Sequence, residues 1–302
     1  MLKLGLASFF VAFLAWYWFT NRVNNGETFR GKNVVICGGS AGVGEQIAYR
    51  FCEQGANVLI AARREWALKN VVKNCSRLGA ASASYITADL SGGGIGNRHL
   101  LNESLKHFQS TVDVLVLNHV YYEVKRWQGD RNFVISDVAK AFDINVFSYI
   151  DLATLFLPSL QASRGRLLVI SSGLGVITYP YFALYCSNKH ALHGFFNALR
   201  QDLALEKNEL SITLTVLGAI ATESALKVSS GNPVAGTSGW TRHSPVDASH
   251  AIVEASLHRE RQVYFPSSFK FHEFASTHFP EFTESLIRYL YGLELTRVVD
   301  SS

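Results

Sequence analysis

Asn33-Val34-Val35-Ile36-Cys37-Gly38-Gly39-Ser40-Ala41-Gly42-Val43-Gly44-Glu45-Gln46-Ile47-Ala48-Tyr49-Arg50-Phe51 decides how the whole chain is read. Its first five residues form a short apolar run of the buried-strand type, and its last seven set apolar side chains at helical spacing. Glycines fill the turn between them. A strand, a glycine turn and a helix N-terminus are what a dinucleotide pyrophosphate needs. The glycines let the backbone turn tightly and approach the phosphates, while the free N–H groups of the helix face the negative charge. Gly38, Ser40, Ala41, Gly42, Val43 and Gly44 are therefore the candidate phosphate cradle. The spacing is Gly-x-x-x-Gly-x-Gly and not Gly-x-Gly-x-x-Gly. A second cluster, Gly92-Gly93-Gly94-Ile95-Gly96, follows no strand directly and reads as a flexible loop.

Outward from that stretch, short apolar runs near residues 33, 57, 112, 166 and 211 alternate with helical stretches. The alternation predicts an α/β fold, a doubly wound parallel sheet covered on both faces. With 302 residues, 48% of them hydrophobic and 17% charged, one large core suffices, and no internal repeat divides the chain. Phe182 to Leu205 is apolar nearly all round and is expected to be buried on more than one side. The second run, Asn57-Val58-Leu59-Ile60-Ala61-Ala62, ends in Arg63-Arg64. A carboxylate at that strand end would hold a ribose 2′-OH. Two guanidinium groups suit a 2′-phosphate instead, so NADP(H) is preferred over NAD(H).

Chemistry enters with Tyr185 and Lys189, one helical turn apart, with Ser172 thirteen residues before the tyrosine and Asn145 forty before it. Tyrosine ordinarily titrates near 10, too high for proton transfer at neutrality. An ammonium on the same helix face is expected to stabilise the phenolate and lower that value. A seryl hydroxyl can hold a substrate oxygen, and an asparagine can order the water that returns the proton. The set suits interconversion of a ketone and a secondary alcohol coupled to hydride transfer. Tyr121–Lys125 has the same spacing, but Phe108 stands thirteen residues upstream where a hydroxyl is needed, so it reads as a solvated loop pair. A non-catalytic NADP(H)-binding membrane scaffold is the alternative, opposed by the completeness of the set.

On these motifs, from about residue 30 to the C-terminus, the chain resembles the short-chain dehydrogenase/reductase family and its Rossmann-type fold. The resemblance implies that Asp89 contacts the adenine, that Asn118 follows the fourth strand, and that Gly218, Ile220 and Thr222 meet the nicotinamide end. It makes Asn145, Ser172, Tyr185 and Lys189 the catalytic four, with Tyr185 and Lys189 also touching the nicotinamide ribose. Leu117-Asn118-His119, Val176-Ile177-Thr178-Tyr179-Pro180 and Leu192-His193-Gly194-Phe195-Phe196 are most similar to the type 1 group of 11-beta-hydroxysteroid dehydrogenases and their relatives. That likeness implies a microsomal enzyme acting on a lipophilic substrate, a steroid first, with Tyr179 and Leu217 as substrate contacts beside Ser172 and Tyr185. It also implies a homodimer through the Phe182–Leu205 helix. Gly173 after the serine, Ala221, and the stretch from Val228 to Ser244 depart from the pattern, which leaves a retinoid, a sphingoid ketone or a xenobiotic carbonyl open as substrate.

Glu223 to Ser244, rich in Ser, Gly and Thr, reads as a mobile lid over the substrate. Phe282 to Leu295 reads as a helix with an apolar face that could cap the cleft, support a dimer or rest on a membrane. The four cysteines form no disulfide framework: Cys37 and Cys186 are expected as buried thiols, and Cys52 and Cys75 carry no assignment. No metal is expected. Net charge is +4 with pI near 8.8, and no clustered basic face points to nucleic acid.

Residues 4 to 21 carry no charge and contain Trp16-Tyr17-Trp18-Phe19. As a helix they reach about 27 Å, enough to cross a bilayer core. The expected organisation is a membrane anchor over 1–22, an oxidoreductase domain over 23–280 and a C-terminal helix and tail over 281–302. Arg22, Arg30 and Lys32 beyond the span lean toward a cytosolic domain. The resemblance leans toward the lumen of the endoplasmic reticulum, which is slightly favoured, and Asn74 and Asn102 fit the N-glycan acceptor pattern.

Overall fold

The computed structural model describes residues 27–109, 111–124, 127, 135–231 and 241–300. The expected anchor and the tip of the expected lid, with Trp240, lie outside the described residues.

Seven parallel strands form one sheet in the order β3-β2-β1-β4-β5-β6-β7. They are β1 (Asn33–Cys37), β2 (Asn57–Ala62), β3 (Ser82–Thr87), β4 (Val114–Leu117), β5 (Arg166–Ile170), β6 (Ser211–Leu217) and β7 (Gln262–Phe265). Alternation along each strand sends side chains to opposite faces. Val34, Ile36, Val58, Ile60, Val114 and Val116 join one core cluster, while Val35, Cys37, Leu59, Ala61, Leu115 and Leu117 join the other. Helices α1 (Gly42–Glu53), α2 (Glu65–Leu78) and α8 (Pro245–Leu257) cover the first face through Ile47, Phe51, Leu68 and Ile252. Helices α3 (Ile95–Phe108), α5 (Ser148–Ala162) and α6 (Ala183–Leu205) cover the second through Leu100, Phe156, Leu192 and Phe196. Each such side chain contributes roughly 1.5–3 kcal/mol of burial.

Helix α4 (Ile135–Phe142) runs through a π turn, Asp143–Phe147, into α5. The combined run Ile135–Ala162 is long and apolar enough to cross a membrane by length and composition, but 44% of its most apolar window is buried inside the protein. Leu152, Phe156 and Leu160 serve the core, while Ile135 and Phe147 are exposed. The remaining helices among the described residues are α7 (Glu223–Gly231), α9 (Phe269–His278) and α10 (Pro280–Asp300).

Three expectations change. β3 and β7 were not among the apolar runs: as edge strands they are only partly buried, and β3 mixes polar with apolar residues. The glycine cluster is a tethered turn and not a flexible loop. Gly92, Gly93 and Gly94 all adopt left-handed φ, Asp143 accepts from the Gly92 N–H, and Asp151 accepts from Gly94 N at 2.9 Å and Asn97 Nδ2 at 2.8 Å. Cys52 and Cys75 form a disulfide between α1 and α2, with Cα atoms 5.4 Å apart. Both point into the same apolar cluster, a proximity that a 23-residue spacing across a strand does not disclose. Cys37 and Cys186 are buried free thiols, as expected.

The first part of the expected lid is ordered as α7, where Lys227 pairs with Glu223 one turn away. The predicted C-terminal helix is present as α10.

Candidate active site

Every strand that carries a candidate residue delivers it at its C-terminal end, and strand order reverses between β1 and β4. Open α/β sheets bind their ligands in that crevice. Gly38 follows β1, Arg63 and Arg64 follow β2, Asn118 follows β4, Ser172 lies just beyond β5, and Gly218 follows β6.

The glycine turn is shaped from both sides. Gly38 has φ +80° and Gly42 φ +61°, where side chains are disfavoured. A β-carbon at Gly44 would overlap the Gly38 carbonyl and Asn118 Nδ2, and Asn118 Nδ2 itself donates to that carbonyl at 2.9 Å. A β-carbon at Gly42 would stand 3.0 Å from Thr222 Cγ2, so the turn and the segment after β6 face one another across the cleft. The result is a bare backbone cradle at the N-terminus of α1, fit for a pyrophosphate.

Arg63 and Arg64 are exposed at the rim beyond β2. Arg64 Nη2 approaches Ser40 Oγ at 3.4 Å. The next carboxylate, Glu65, accepts from Tyr85 of β3 at 3.1 Å and pairs with Lys69 on its own helix at 3.0 Å, so it is occupied. Asp89 accepts from the backbone and hydroxyl of Ser91, which hold its carboxyl below the ordinary range, with a smaller pull from Arg63. These residues fit the adenosine end of a nicotinamide cofactor, with Glu223 3.9 Å from Arg64 Nη1.

Tyr185 and Lys189 sit on the first turns of α6, and Ser172 caps a 3-10 turn, Gly173–Gly175, by accepting from Leu174 N at 3.2 Å. Ser172 Oγ lies 3.4 Å from the Leu217 carbonyl. Lys189 Nζ donates to the Ile170 carbonyl at 2.9 Å and stands 5.7 Å from the centre of the Tyr185 ring. Burial lowers the Lys189 ammonium to about 7. Burial pushes the Tyr185 phenol well above its ordinary value, helped by Tyr122, while a hydrogen bond with Ser172 pulls the other way. The expected lowering of Tyr185 by Lys189 is not seen: desolvation dominates, which keeps the phenol protonated and suits it to give a proton.

Asn145 is buried within the π turn, and its amide embraces the backbone of Tyr121. Oδ1 accepts from Tyr121 N, and Nδ2 donates to Tyr121 O, both at 2.8 Å. One hydrogen and one lone pair remain for a further partner such as a water. The expectation for Tyr121 as a mere solvated loop residue is thus revised: its backbone braces Asn145. His193, one turn beyond Lys189, meets Ser171 Oγ at 3.1 Å, and burial lowers it to about 4, so it supports the serine segment without adding charge.

The cleft brings together Ala41, Gly42, Val43, Asn118, Ser172, Tyr185, Lys189, Leu217, Gly218, Ile220 and Thr222, with Tyr179 among its walls. Gly38, Gly44, Ser40, Arg63, Arg64 and Asp89 shape or flank it without lining it, and Asn145 lies behind it. Sequence reasoning missed the apolar walls Val120, Tyr122, Leu174, Phe182 and Phe269. Tyr122 meets Tyr185 edge-on at 4.9 Å, and the buried Tyr291 of α10 packs on Tyr179 at 5.6 Å. Among the described residues, no cluster of His, Cys, Asp or Glu is arranged to hold a metal.

The family model described as short chain dehydrogenase matches residues 32–233. The chain is 36% identical over 263 residues to hydroxysteroid 11-beta-dehydrogenase 1-like protein B of Xenopus laevis, covering 86% of this chain and 87% of that protein. It is 35% identical over 265 residues to the hydroxysteroid 11-beta-dehydrogenase 1-like protein of Danio rerio, covering 87% and 88%. Among solved structures, a short-chain dehydrogenase/reductase of Burkholderia phymatum in complex with NAD superposes with a TM-score of 0.71 at 20% identity, over 82% of this chain and 95% of that one. A short chain dehydrogenase of Burkholderia cenocepacia J2315 in complex with NADP gives 0.68 at 20%, over 79% and 97%. The chain belongs to the short-chain dehydrogenase/reductase family of oxidoreductases and is related to the hydroxysteroid 11-beta-dehydrogenase 1-like proteins.

Proposed function

We propose that the protein is a membrane-anchored NADP(H)-dependent oxidoreductase that interconverts a ketone and a secondary alcohol on a lipophilic substrate, a steroid first among the candidates. The observation that carries this is the meeting of Ser172, Tyr185 and Lys189 with the glycine turn in one cleft that also has the apolar and aromatic walls Val120, Tyr122, Leu174, Phe182 and Phe269, with Glu223, Ser224 and Arg242 among its polar lining.

The bound cofactor supplies the hydride that the substrate carbonyl carbon receives. Gly38 to Gly44 would hold its pyrophosphate at the start of α1, and Arg63 and Arg64 would meet its 2′-phosphate. Thr222 and Ile220 would bound the nicotinamide end. Ser172 donates a hydrogen bond to the carbonyl oxygen and fixes its position. Tyr185 gives that oxygen its proton, and the ammonium of Lys189 steadies the phenolate left behind. Asn145 holds the water that refills Tyr185. In the opposite direction the same residues remove the alcohol proton. Tyr179 and the segment around Leu217 touch the substrate skeleton. The names of the relatives point to a hydroxysteroid, and the aromatic walls suit a fused alicyclic skeleton.

The apolar span over residues 4–21 would fix the enzyme in the endoplasmic reticulum membrane, and the homodimer would form along α6. The Cys52–Cys75 disulfide favours the lumenal side, since such bonds persist in oxidising compartments.

The test is NADPH oxidation by the full chain in detergent with an 11-ketosteroid, beside a Tyr185→Phe variant. Turnover is expected in the first and a loss of at least roughly a hundredfold in the second, with NADPH binding retained. Turnover that survives in Tyr185→Phe assigns the proton to another group.

A further inference from the structure

Phe269, the first residue of α9, borders the cleft at only 3% exposure, and its seat is cut out of two glycines. A β-carbon at Gly173 would overlap ring atom Cε1 and stand 2.6 Å from Cδ1 and 2.7 Å from Cζ. One at Gly218 would stand 2.7 Å from Cε2. Carbon atoms in comfortable contact are about 3.5–4.0 Å apart, so the ring excludes a side chain at either position. Backbone freedom is not the reason for these glycines, because neither has a positive φ. The notch belongs to the catalytic segments: Gly173 follows Ser172, and Gly218 follows Leu217, whose carbonyl faces Ser172 Oγ. Ile177 and Val216 are buried with the ring, and Leu174, Val176 and Tyr264 pack against that cluster, so it is held in place.

We propose that Phe269, seated on Gly173 and Gly218, is the specificity-determining wall of the substrate pocket on the Ser172 side. It limits the bulk allowed beside the reacting carbonyl and selects alicyclic ketones whose neighbouring carbon is not quaternary. The proposal rests on the ketone–alcohol reading and deepens it. A hydrogen bond from Ser172 fixes the carbonyl oxygen, so a quaternary carbon beside that carbonyl, on this side, has to enter the space of the ring. A misfitting methyl in a closed apolar pocket is worth roughly 10–200-fold in discrimination.

The experiment uses the full chain with NADPH and two probes, trans-1-decalone and its 8a-methyl derivative, which carries a quaternary carbon next to the carbonyl. In the wild type, kcat/KM is expected to favour the unmethylated ketone by at least roughly tenfold. Phe269→Ala is expected to bring the ratio close to unity through a lower KM for the methylated ketone, and Phe269→Leu to fall between. Gly173→Ala is expected to impair both ketones by displacing the ring, and Gly173→Ala combined with Phe269→Ala to recover. That compensation separates a wall from a merely structural ring, and NADPH binding reports the fold of each variant. Binding of both ketones to the NADPH-loaded proteins, read by NADPH fluorescence, accompanies turnover. Turnover with a ratio unchanged in Phe269→Ala overturns the wall and leaves the oxidoreductase reading standing. A binding ratio that relaxes without turnover in any variant supports the wall and overturns that reading. Failure of every variant to bind either ketone overturns the wall.

Discussion

At Lys189, burial and chemistry pull in opposite directions. Desolvation lowers its ammonium to about 7, while its proposed task beside Tyr185 needs the charged form. A depressed lysine makes the folded protein bind fewer protons than the unfolded chain between about 7 and the ordinary 10.5, so its contribution to stability improves as pH rises through that window. Catalysis runs the other way. The cation is present below about 7 and lost above it, so kcat/KM for ketone reduction is expected to fall as pH rises through that value. Lys189→Ala is expected to lose that limb and roughly 10²–10⁴ of the rate. A wild-type profile flat from about pH 6 to 9 would show that the chemistry does not use this charge. Much of the site was legible at this scale because Tyr185, Lys189, Ser172 and Asn145 are heteroatom-bearing residues at fixed spacings. Phe269 and Tyr122 were not: with 20 Phe and 12 Tyr in the chain, nothing local marks the few that reach one cleft. The engagement of Asn145 with Tyr121 was hidden too, since it depends on a π turn that brings residues 24 apart together.

Elements were legible where burial is two-sided. β1, β2, β4 and β5 carry near-continuous apolar residues because helices cover both faces, and β6 interleaves apolar residues with the buried Thr213 and Thr215, whereas β3 and β7 are edges and carry no such mark. The same limit hid the link between α1 and α2. Cys52 ends one helix and Cys75 lies on the next, and only the packing of both against β1 and β2 turns their inward faces toward each other. A cross-link closing a loop of this size contributes roughly 3 kcal/mol. Reduction of the native protein is expected to lower its urea midpoint by an amount equivalent to about 2–4 kcal/mol, and Cys75→Ser is expected to abolish the response to reductant. An identical midpoint with and without reductant would remove the bond from any role in stability. The link ties down the helix that carries the proposed phosphate cradle and the one that begins after Arg64, so it bears on the proposed cofactor end and not on the substrate end.

For the whole molecule, parallel strands give the sheet two unlike edges. The cleft occupies the C-terminal edge, and the chain enters at the other: Glu27 pairs with the buried Arg166 at the start of β5 and with Arg259 at 3.5 Å, and Phe29 packs under the Arg166 guanidinium. If the protein is membrane-anchored as proposed, the side that holds the domain follows from its glycan acceptors. Asn74 is half-buried on α2 and donates its Nδ2 to Tyr49 Oη at 3.0 Å, so the atom that would carry a glycan is already engaged against the core. Asn102 is exposed on α3. A lumenal domain is therefore expected to show one endoglycosidase-sensitive mobility shift that disappears in Asn102→Gln and persists in Asn74→Gln. The same domain should resist protease added outside intact microsomes and keep Cys52 and Cys75 blocked to alkylation. No shift, with digestion from outside and both thiols open, would place the catalytic domain in the cytosol, where the disulfide would be expected reduced.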